Sequence, residues 1–269
     1  MRRALALALA LAAGFPAAAR AEDDPEGPAP LQGVDIEERL NAQVPVGAAF
    51  LDQDGKPVRM SDFLGKGKPV VLALVYYECP MLCGLILGGM ARGMKETGLE
   101  LGKDYTALSI SFDPREKAAQ GFVRQKHYLQ SFDKADRKDV WPFLVGQDTE
   151  IRSVTDAVGF HYKFDEETKQ YAHGAAILVL TPDGRVSRYL YGVEFPGRDL
   201  RLAIVEAGSG KVGTSFDRFL LTCYRYDPVA RKYVPYALGL VRAGALLVLF
   251  GLASTLFVFW RREAKGARR

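Results

Sequence analysis

Two cysteines lie close together in the segment ECPMLCG, residues 78–84. They follow an apolar, β-branched run at 70–76, which is typical of a strand buried on both faces. Pro80 is well placed in the first turn of a helix, so Cys79 and Cys83 are expected four residues apart on one helix face. A helix N-terminus favours thiolate, the form that binds soft metal ions and exchanges disulfides. The pattern therefore predicts a site for copper(I) or zinc, or a pair that closes into a disulfide; two buried cysteines acting as small apolar residues are the alternative.

Three histidines could supply a third ligand to such a site. His127 falls on a predicted helix among charged residues, and His161 lies in a strand-like alternation, so surface roles are favoured for both. His173 differs because it lies in a short loop that leads straight into the apolar strand at 175–180. A loop residue at the edge of a sheet can reach the end of a neighbouring helix. The residues alone leave open whether His173 is functional.

Strands and helices alternate along the chain from residue 49 onwards, beginning with a hairpin turn at 52–55. The predicted strands that follow are 70–76, 105–111, 141–145, 175–180 and 186–190, and the predicted helices are 80–97, 115–131, 149–158 and 197–207. This order closes with a strand pair and a helix, and it predicts an α/β sandwich with a mixed central sheet. Because the cysteines come directly after the first buried strand, the order fits a thioredoxin-like fold.

The formal charge of +4 is concentrated at the two ends of the 269-residue chain. Residues 1–21 hold three arginines, and residues 261–269 hold five basic residues against one acidic residue. Between them lie 28 basic and 31 acidic residues, a net charge of about −3, which gives no support to nucleic-acid binding. With three cysteines, the chain is not a disulfide scaffold. The third, Cys223, is expected to be a buried or membrane-proximal free thiol, with a second metal or redox contact as the alternative.

Both ends of the chain also carry membrane signals. Residues 1–21 combine a basic start, an apolar run and a small-residue end, which predicts a cleaved secretory signal peptide. Residues 243–260 carry no charge for 18 residues, about 27 Å of helix, and a basic cluster follows, which predicts a transmembrane helix. The basic tail then stays in the cytoplasm, and the domain faces outward, at the periplasmic face of a bacterial inner membrane.

The predicted organisation divides the chain into six parts. These are a signal peptide (1–21), a Pro-rich linker (22–44), a thioredoxin-like domain (45–210), a juxtamembrane connector (211–235), a transmembrane helix (236–260) and a basic cytoplasmic tail (261–269).

Three motifs taken together resemble the Sco/SenC family, over roughly residues 45–207. They are Cys79-Pro-Met-Leu-Cys83 after a buried strand, Ser109-Ile-Ser-Phe-Asp113-Pro114, and Tyr171-Ala-His173-Gly174 leading into another strand. The family consists of thioredoxin-like copper chaperones for cytochrome c oxidase assembly. The resemblance implies a copper ion, Cu(I) or Cu(II), bound by Cys79, Cys83 and His173. It gives Asp113 a supporting role towards the site or a docking partner, with a simple strand-end turn as the alternative.

The resemblance also implies a function. It indicates a metallochaperone that delivers copper to a cytochrome c oxidase subunit, with other copper chaperones or thiol reductants as further partners. The alternative is a thiol-disulfide oxidoreductase that reduces the cysteines of the oxidase copper site with Cys79 and Cys83, and that has no need of His173. The chain departs from the family in its predicted C-terminal anchor, because family members commonly have an N-terminal one, and in Gly84, where proline is common.

Overall fold

The structure is a computed structural model that describes residues 34–132, 137–208, 224–227, 232–235, 245, 248–255 and 257. All of these residues belong to the larger of two compact units, Gly33–Arg269. The predicted signal peptide, residues 22–33 of the predicted linker, Cys223 and the basic tail lie outside the described residues.

Short strands and helices alternate along the described chain. The strands are β1 (Ala49–Leu51), β2 (Pro57–Arg59), β3 (Val70–Val75), β4 (Thr106–Ser111), β5 (Phe143–Leu144), β6 (Tyr162–Asp165), β7 (Gln170–His173), β8 (Ala176–Leu180), β9 (Val186–Tyr191), β10 (Tyr224–Asp227) and β11 (Lys232–Pro235). The helices with complete bounds are α1 (Leu82–Glu96), α2 (Ala118–Gln130), α3 (Asp148–Ala157) and α4 (Gly197–Ala207). The central sheet has the strand order β5-β4-β3-β8-β9 and is mixed, which confirms the predicted α/β class with a mixed sheet.

The pairing of the central strands brings three chain segments to one edge of the sheet. β3 runs parallel to β4, with Val75 beside Ser111, so the loops after both strands leave from the same edge. β8 runs antiparallel to β3, with Ala73 beside Ile177, so β8 begins where β3 ends. All six residues of β3 are fully buried, as the apolar run predicts. The end of β3, the end of β4 and the chain entering β8 therefore meet.

Helix α1 packs against α4 and the sheet through a face that contains glycines. A Cβ atom on Gly89 would lie 1.9 Å from the carbonyl oxygen of Val193, and one on Gly93 would lie 2.3 Å from that of Phe195. Glycine lowers helix propensity, but here it lets the chain before α4 lie directly on α1. These glycines are therefore a packing requirement rather than a break in the helix.

Two hairpins and the chain before β1 complete the domain. β1 pairs with β2 around the predicted turn at 52–55, and β6 pairs with β7. Ile36 bridges to Phe160, and Val44 is fully buried, so residues 34–44 of the predicted linker lie against the domain.

The C-terminal part is described only in pieces. β10 and β11 form an antiparallel pair within the predicted connector. In the predicted transmembrane segment, residues 245, 248–255 and 257 are helical, and the rest lies outside the described residues. No helix among the residues that the structure describes combines the length and apolar character that a membrane crossing requires.

Candidate metal centre

The two cysteines lie in different secondary structure. β3 ends at Val75 and α1 begins at Leu82, so Cys79 lies in the connecting turn and only Cys83 is helical. The prediction that both share a helix face is therefore wrong. The physical reason is Pro80, because the residue before a proline is disfavoured in helical conformation, which keeps Cys79 out of α1.

The two sulfur atoms are nevertheless held near one another by the backbone. The Cys83 N–H donates to the Cys79 sulfur at 3.3 Å, and the Tyr76 N–H donates to the Cys83 sulfur, also at 3.3 Å. Both cysteines are free thiols, and their exposed fractions are 7% for Cys79 and 2% for Cys83. Cys79 is thus at the rim of the site and Cys83 is beneath it.

His173 brings an imidazole to the same sulfur atoms. It is the last residue of β7 rather than part of a loop, which corrects the prediction for this segment. Its Nε2 atom lies 3.4 Å from the Cys83 sulfur, and its Nδ1 atom lies 2.9 Å from the carbonyl oxygen of Gly174. Because a carbonyl oxygen can only accept, Nδ1 carries the proton in the neutral ring, and Nε2 is left with a lone pair beside the sulfur.

The three side chains form a group that could hold a metal ion. The ligand atoms of Cys79, Cys83 and His173 all lie within 4.8 Å of one another. Two sulfurs and one imidazole nitrogen are soft and borderline donors, which suit copper or zinc better than hard cations. His127 and His161 are not members of this group: His127 is exposed on α2, and His161 lies 3.7 Å from the Glu37 carboxylate.

The electrostatics of the pair favour one thiolate and one thiol. The pKa of the Cys79 thiol is lowered, first by its hydrogen bond with Cys83, and further by His173 and two backbone N–H groups, against the opposing effect of burial. Burial raises the pKa of the Cys83 thiol. The shared proton therefore stays on Cys83, and Cys79 is the sulfur that meets an incoming soft cation first.

Aromatic rings form the wall behind the imidazole. The His173 ring lies 5.1 Å from the ring of Phe112, 6.1 Å from that of Phe160 and 6.2 Å from that of Tyr76, measured between centroids. These contacts come from three different loops and strands at the same edge of the sheet. They leave the ring little freedom to rotate away from the sulfurs.

Asp113 is outside the Cys-Cys-His group and contacts Arg115. Its side chain is 7% exposed and accepts hydrogen bonds from the Arg115 guanidinium at 2.7, 2.9 and 3.2 Å. Burial alone would raise the pKa of the Asp113 carboxyl, but the hydrogen bonds and charge of Arg115 leave it lowered. Arg115 also lies over the rings of Phe164 and Tyr171, at 4.6 and 5.5 Å from their centroids. The hairpin that carries His173 is thus attached to the Asp113 turn, and the supporting role of Asp113 stays a prediction.

Glu116 is the part of the site that the sequence motifs did not indicate. It is 4% exposed, and its carboxylate accepts from the backbone N–H groups of Tyr77 and Glu78 and from the Ser111 hydroxyl. Burial raises the pKa of this carboxyl, and the hydrogen bonds oppose the rise. The available signal was an acidic residue just after β4, at the same sheet edge as the cysteines.

The fold and the site together define a mixed α/β domain, consistent with a thioredoxin-like fold, that carries a Cys-Cys-His group at one edge of its sheet. Residues 40–204 match the family model of SCO1/SenC. Because this match spans more than half of the chain, the protein belongs to the SCO1/SenC family, as the sequence motifs predicted.

Solved structures share the fold. A protein of Aquifex aeolicus VF5 is similar with a TM-score of 0.57 at 24% identity, covering 64% of this chain and 96% of that one. A SCO1/SenC family lipoprotein from Bacillus anthracis str. Ames gives a TM-score of 0.52 at 23% identity, with coverages of 64% and 99%. BsSco, a member of the Sco family of cytochrome c oxidase assembly proteins, gives 0.51 at 25% identity, with 66% and 99%. A search of curated proteins returned no significant match.

Proposed function

We propose that this chain is a copper-binding metallochaperone that delivers copper to a copper site of cytochrome c oxidase. The observation that carries the proposal is the convergence of Cys79, Cys83 and His173 within 4.8 Å. Membership of the SCO1/SenC family supports copper as the metal and an oxidase subunit as the recipient. BsSco, which shares the fold, belongs to a family of cytochrome c oxidase assembly proteins.

The three ligands suit a site that binds copper and then passes it on. Copper enters at Cys79, the more exposed sulfur with the lowered pKa, and the Cys83 proton leaves as the second sulfur binds. His173 presents Nε2 because its other nitrogen donates to the Gly174 carbonyl. A copper ion with three protein ligands accepts a further donor from the recipient. Transfer then proceeds by stepwise exchange of ligands, without turnover chemistry.

The same cysteines give the site a redox control. When an oxidant takes two electrons from the Cys79 thiolate and the Cys83 thiol, the Cys83 proton is released, a disulfide forms and two copper ligands are lost. Copper loading and disulfide formation then exclude one another. The identification of a disulfide switch in BsSco supports this part of the proposal. Thiol reductants and other copper chaperones are the partners that would reset and load the pair.

The chain is proposed to work outside the cytoplasm on a membrane. The support is the sequence of residues 1–21 and 236–260. The described helical residues of the second segment also expose large apolar side chains, which suits a lipid environment: Val248, Leu249, Phe250, Leu252 and Phe257. A signal peptide and a C-terminal anchor would hold the domain at the periplasmic face of a bacterial inner membrane. There Asp113, through Arg115, supports the hairpin that carries His173.

A thiol-disulfide oxidoreductase is the second candidate. The observation that favours it is the lowered pKa of Cys79 next to the thiol of Cys83, the arrangement of an attacking and a resolving cysteine. Such an enzyme would reduce the cysteines of the oxidase copper site. It has no use for the imidazole beside the pair.

A copper(I) titration separates the two candidates. The reduced full-length chain, with detergent present, is titrated against a Cu(I) chelator as wild type and as Cys79→Ala, His173→Ala and His127→Ala. We expect one tightly bound equivalent in wild type and His127→Ala, and affinities lowered at least about 100-fold in the other two, since each lacks a ligand. Wild-type affinity in His173→Ala would contradict the proposed ligand set. Rapid reduction of a model disulfide together with weak copper binding would favour the oxidoreductase.

A further inference from the structure

Glu116 is a buried acidic residue that the proposed copper exchange does not use. It lies in the turn after β4 and is 4% exposed. Among the described residues, Glu116 forms no ion pair; the neighbouring Arg115 guanidinium also attracts it electrostatically but is bound to Asp113. A buried carboxylate without a cation lowers stability unless hydrogen bonds compensate for lost hydration. Three hydrogen bonds supply this compensation for Glu116, and their donors show which part of the chain the carboxylate holds.

Two of the three hydrogen bonds that the Glu116 carboxylate accepts come from one feature, the turn before Cys79. Oε2 accepts from the Tyr77 N–H at 2.8 Å, and Oε1 accepts from the Glu78 N–H at 2.7 Å. The Ser111 hydroxyl donates to Oε2 at 2.5 Å and orients the carboxylate from the end of β4. The two oxygens thus bind two successive backbone N–H groups, immediately before Cys79.

The N–H groups of Tyr77 and Glu78 depend on Glu116, although other hydrogen bonds also hold this turn. The Arg124 guanidinium donates to the Tyr77 carbonyl at 2.7 Å, and the Tyr77 hydroxyl donates to the carbonyls of Ser109 and Leu144. Residues 76–81 lie between β3 and α1 and have no neighbouring strand to pair with. Buried backbone N–H groups must find acceptors, and only a long hydrogen bond of 3.4 Å, from the Cys79 N–H to the Tyr76 carbonyl, closes the turn internally. Glu116 therefore supplies to this turn the acceptors that a strand would supply elsewhere.

We propose that Glu116 is a positioning residue, whose carboxylate holds the turn that sets the Cys79 sulfur against Cys83 and His173. The part that concerns copper rests on the proposed function. The part that concerns the geometry of the thiol pair does not. A glutamine at this position replaces one of the two acceptor oxygens by an NH2 group and removes the charge, so in the present geometry one of the two N–H groups loses its acceptor.

The test compares Glu116→Gln with Glu78→Gln, both in the full-length chain with Cys223→Ala, so that only one thiol pair can oxidise. Glu78 is the matched control because it is a carboxylate in the same turn, but exposed. Three quantities are measured: amide exchange at Tyr77 and Glu78, the equilibrium constant of the Cys79–Cys83 disulfide with glutathione, and Cu(I) affinity. Far-UV circular dichroism reports whether each variant is folded.

We expect Glu116→Gln to remain folded and to exchange both amides faster. Its disulfide should be less favoured and its Cu(I) affinity lower, each by about tenfold, as expected for losing one charge-assisted hydrogen bond. Glu78→Gln should stay within twofold of the parent. A folded Glu116→Gln with unchanged disulfide equilibrium and exchange would overturn the proposal.

Two further outcomes are also decisive. If Glu116→Gln does not fold, Ser111→Ala, which keeps the carboxylate but removes the hydroxyl that orients it, is tested in the same way with the same criteria. If the parent binds no copper, the proposed function fails. The disulfide equilibrium and amide exchange then still decide the role of Glu116.

Discussion

The Sγ atom of Cys83 and the Nε2 atom of His173 are 3.4 Å apart, although 90 residues separate them in the chain. One lies in the first turn of α1 and the other at the end of β7. They meet because β3 and β8 are antiparallel neighbours, so that α1 starts at the edge of the sheet where β7 delivers the chain to β8. The site is therefore a product of sheet topology, and small changes in the turns at this edge should alter it.

Pro80 should control where α1 begins. In Pro80→Ala, Cys79 is no longer disfavoured in helical conformation, so we expect α1 to start about one residue or more earlier and the Cys79 sulfur to move away from its present position. Cu(I) affinity should fall severalfold while the domain stays folded. NMR secondary shifts at residues 79–82 and a chelator titration measure both effects, with Pro57→Ala, at the start of β2, as the control. An unchanged helix start would show that the proline does not set it.

The glycines of α1 give a stability prediction. Gly89→Ala places a Cβ atom 1.9 Å from the Val193 carbonyl oxygen, so the chain before α4 must move, and we expect a loss of about 2–3 kcal/mol. Gly88→Ala is the control, because its nearest contact is the far end of the Arg92 side chain at 3.5 Å. It should gain about 0.5–1 kcal/mol from higher helix propensity. Urea unfolding measures both, and equal stability of the two variants would contradict the packing described for α1.

Much of this fold could be predicted from local pattern. The helix 197–207 has the predicted bounds, and the strands expected at 70–76 and 105–111 differ from β3 and β4 by a single residue at one end. The reason is that apolar periodicity and β-branched runs record burial directly. The helix expected from 115 begins only at 118, because residues 113–116 form a turn in which Asp113 binds the Arg115 side chain and Glu116 binds the backbone before Cys79.

The geometry of the site could not be predicted in the same way. The loop expected around His173 is a strand, because Tyr171 and its neighbours pack on Phe112 from a distant part of the sequence. Glu116 was not indicated because its partners are backbone N–H groups 38 and 39 residues earlier, and any residue type could have supplied those. Cys79 and Cys83 were found because their chemistry depends on residue type.

Asp113 should make stability depend on pH at the acidic end. The pKa of its carboxyl in the folded protein is lowered below the unfolded value of about 3.9. Its contribution to the free energy of unfolding is therefore fully present above that pH and is lost as the pH falls through the folded pKa. Asp113→Asn should therefore be less stable than wild type at pH 7, by about 1 kcal/mol or less because Arg115 is more than half exposed.

The measurement for Asp113 is the urea midpoint between pH 7 and pH 3. The difference between wild type and Asp113→Asn should narrow as the pH falls towards 3. Glu167→Gln, at an exposed position in the β6–β7 turn, should show no such trend. A difference that is independent of pH would mean that the charge of Asp113 does not stabilise the fold.

The most direct test of the central claim is X-ray absorption at the copper edge of the Cu(I)-loaded, reduced full-length chain. The convergence of Cys79, Cys83 and His173 predicts a first shell of two sulfurs and one imidazole nitrogen, with the nitrogen and its outer-shell imidazole scattering lost in His173→Ala. Unchanged spectra in His161→Ala and His127→Ala would assign that nitrogen to His173. A shell without sulfur, or an imidazole signal that survives in His173→Ala, would contradict the account.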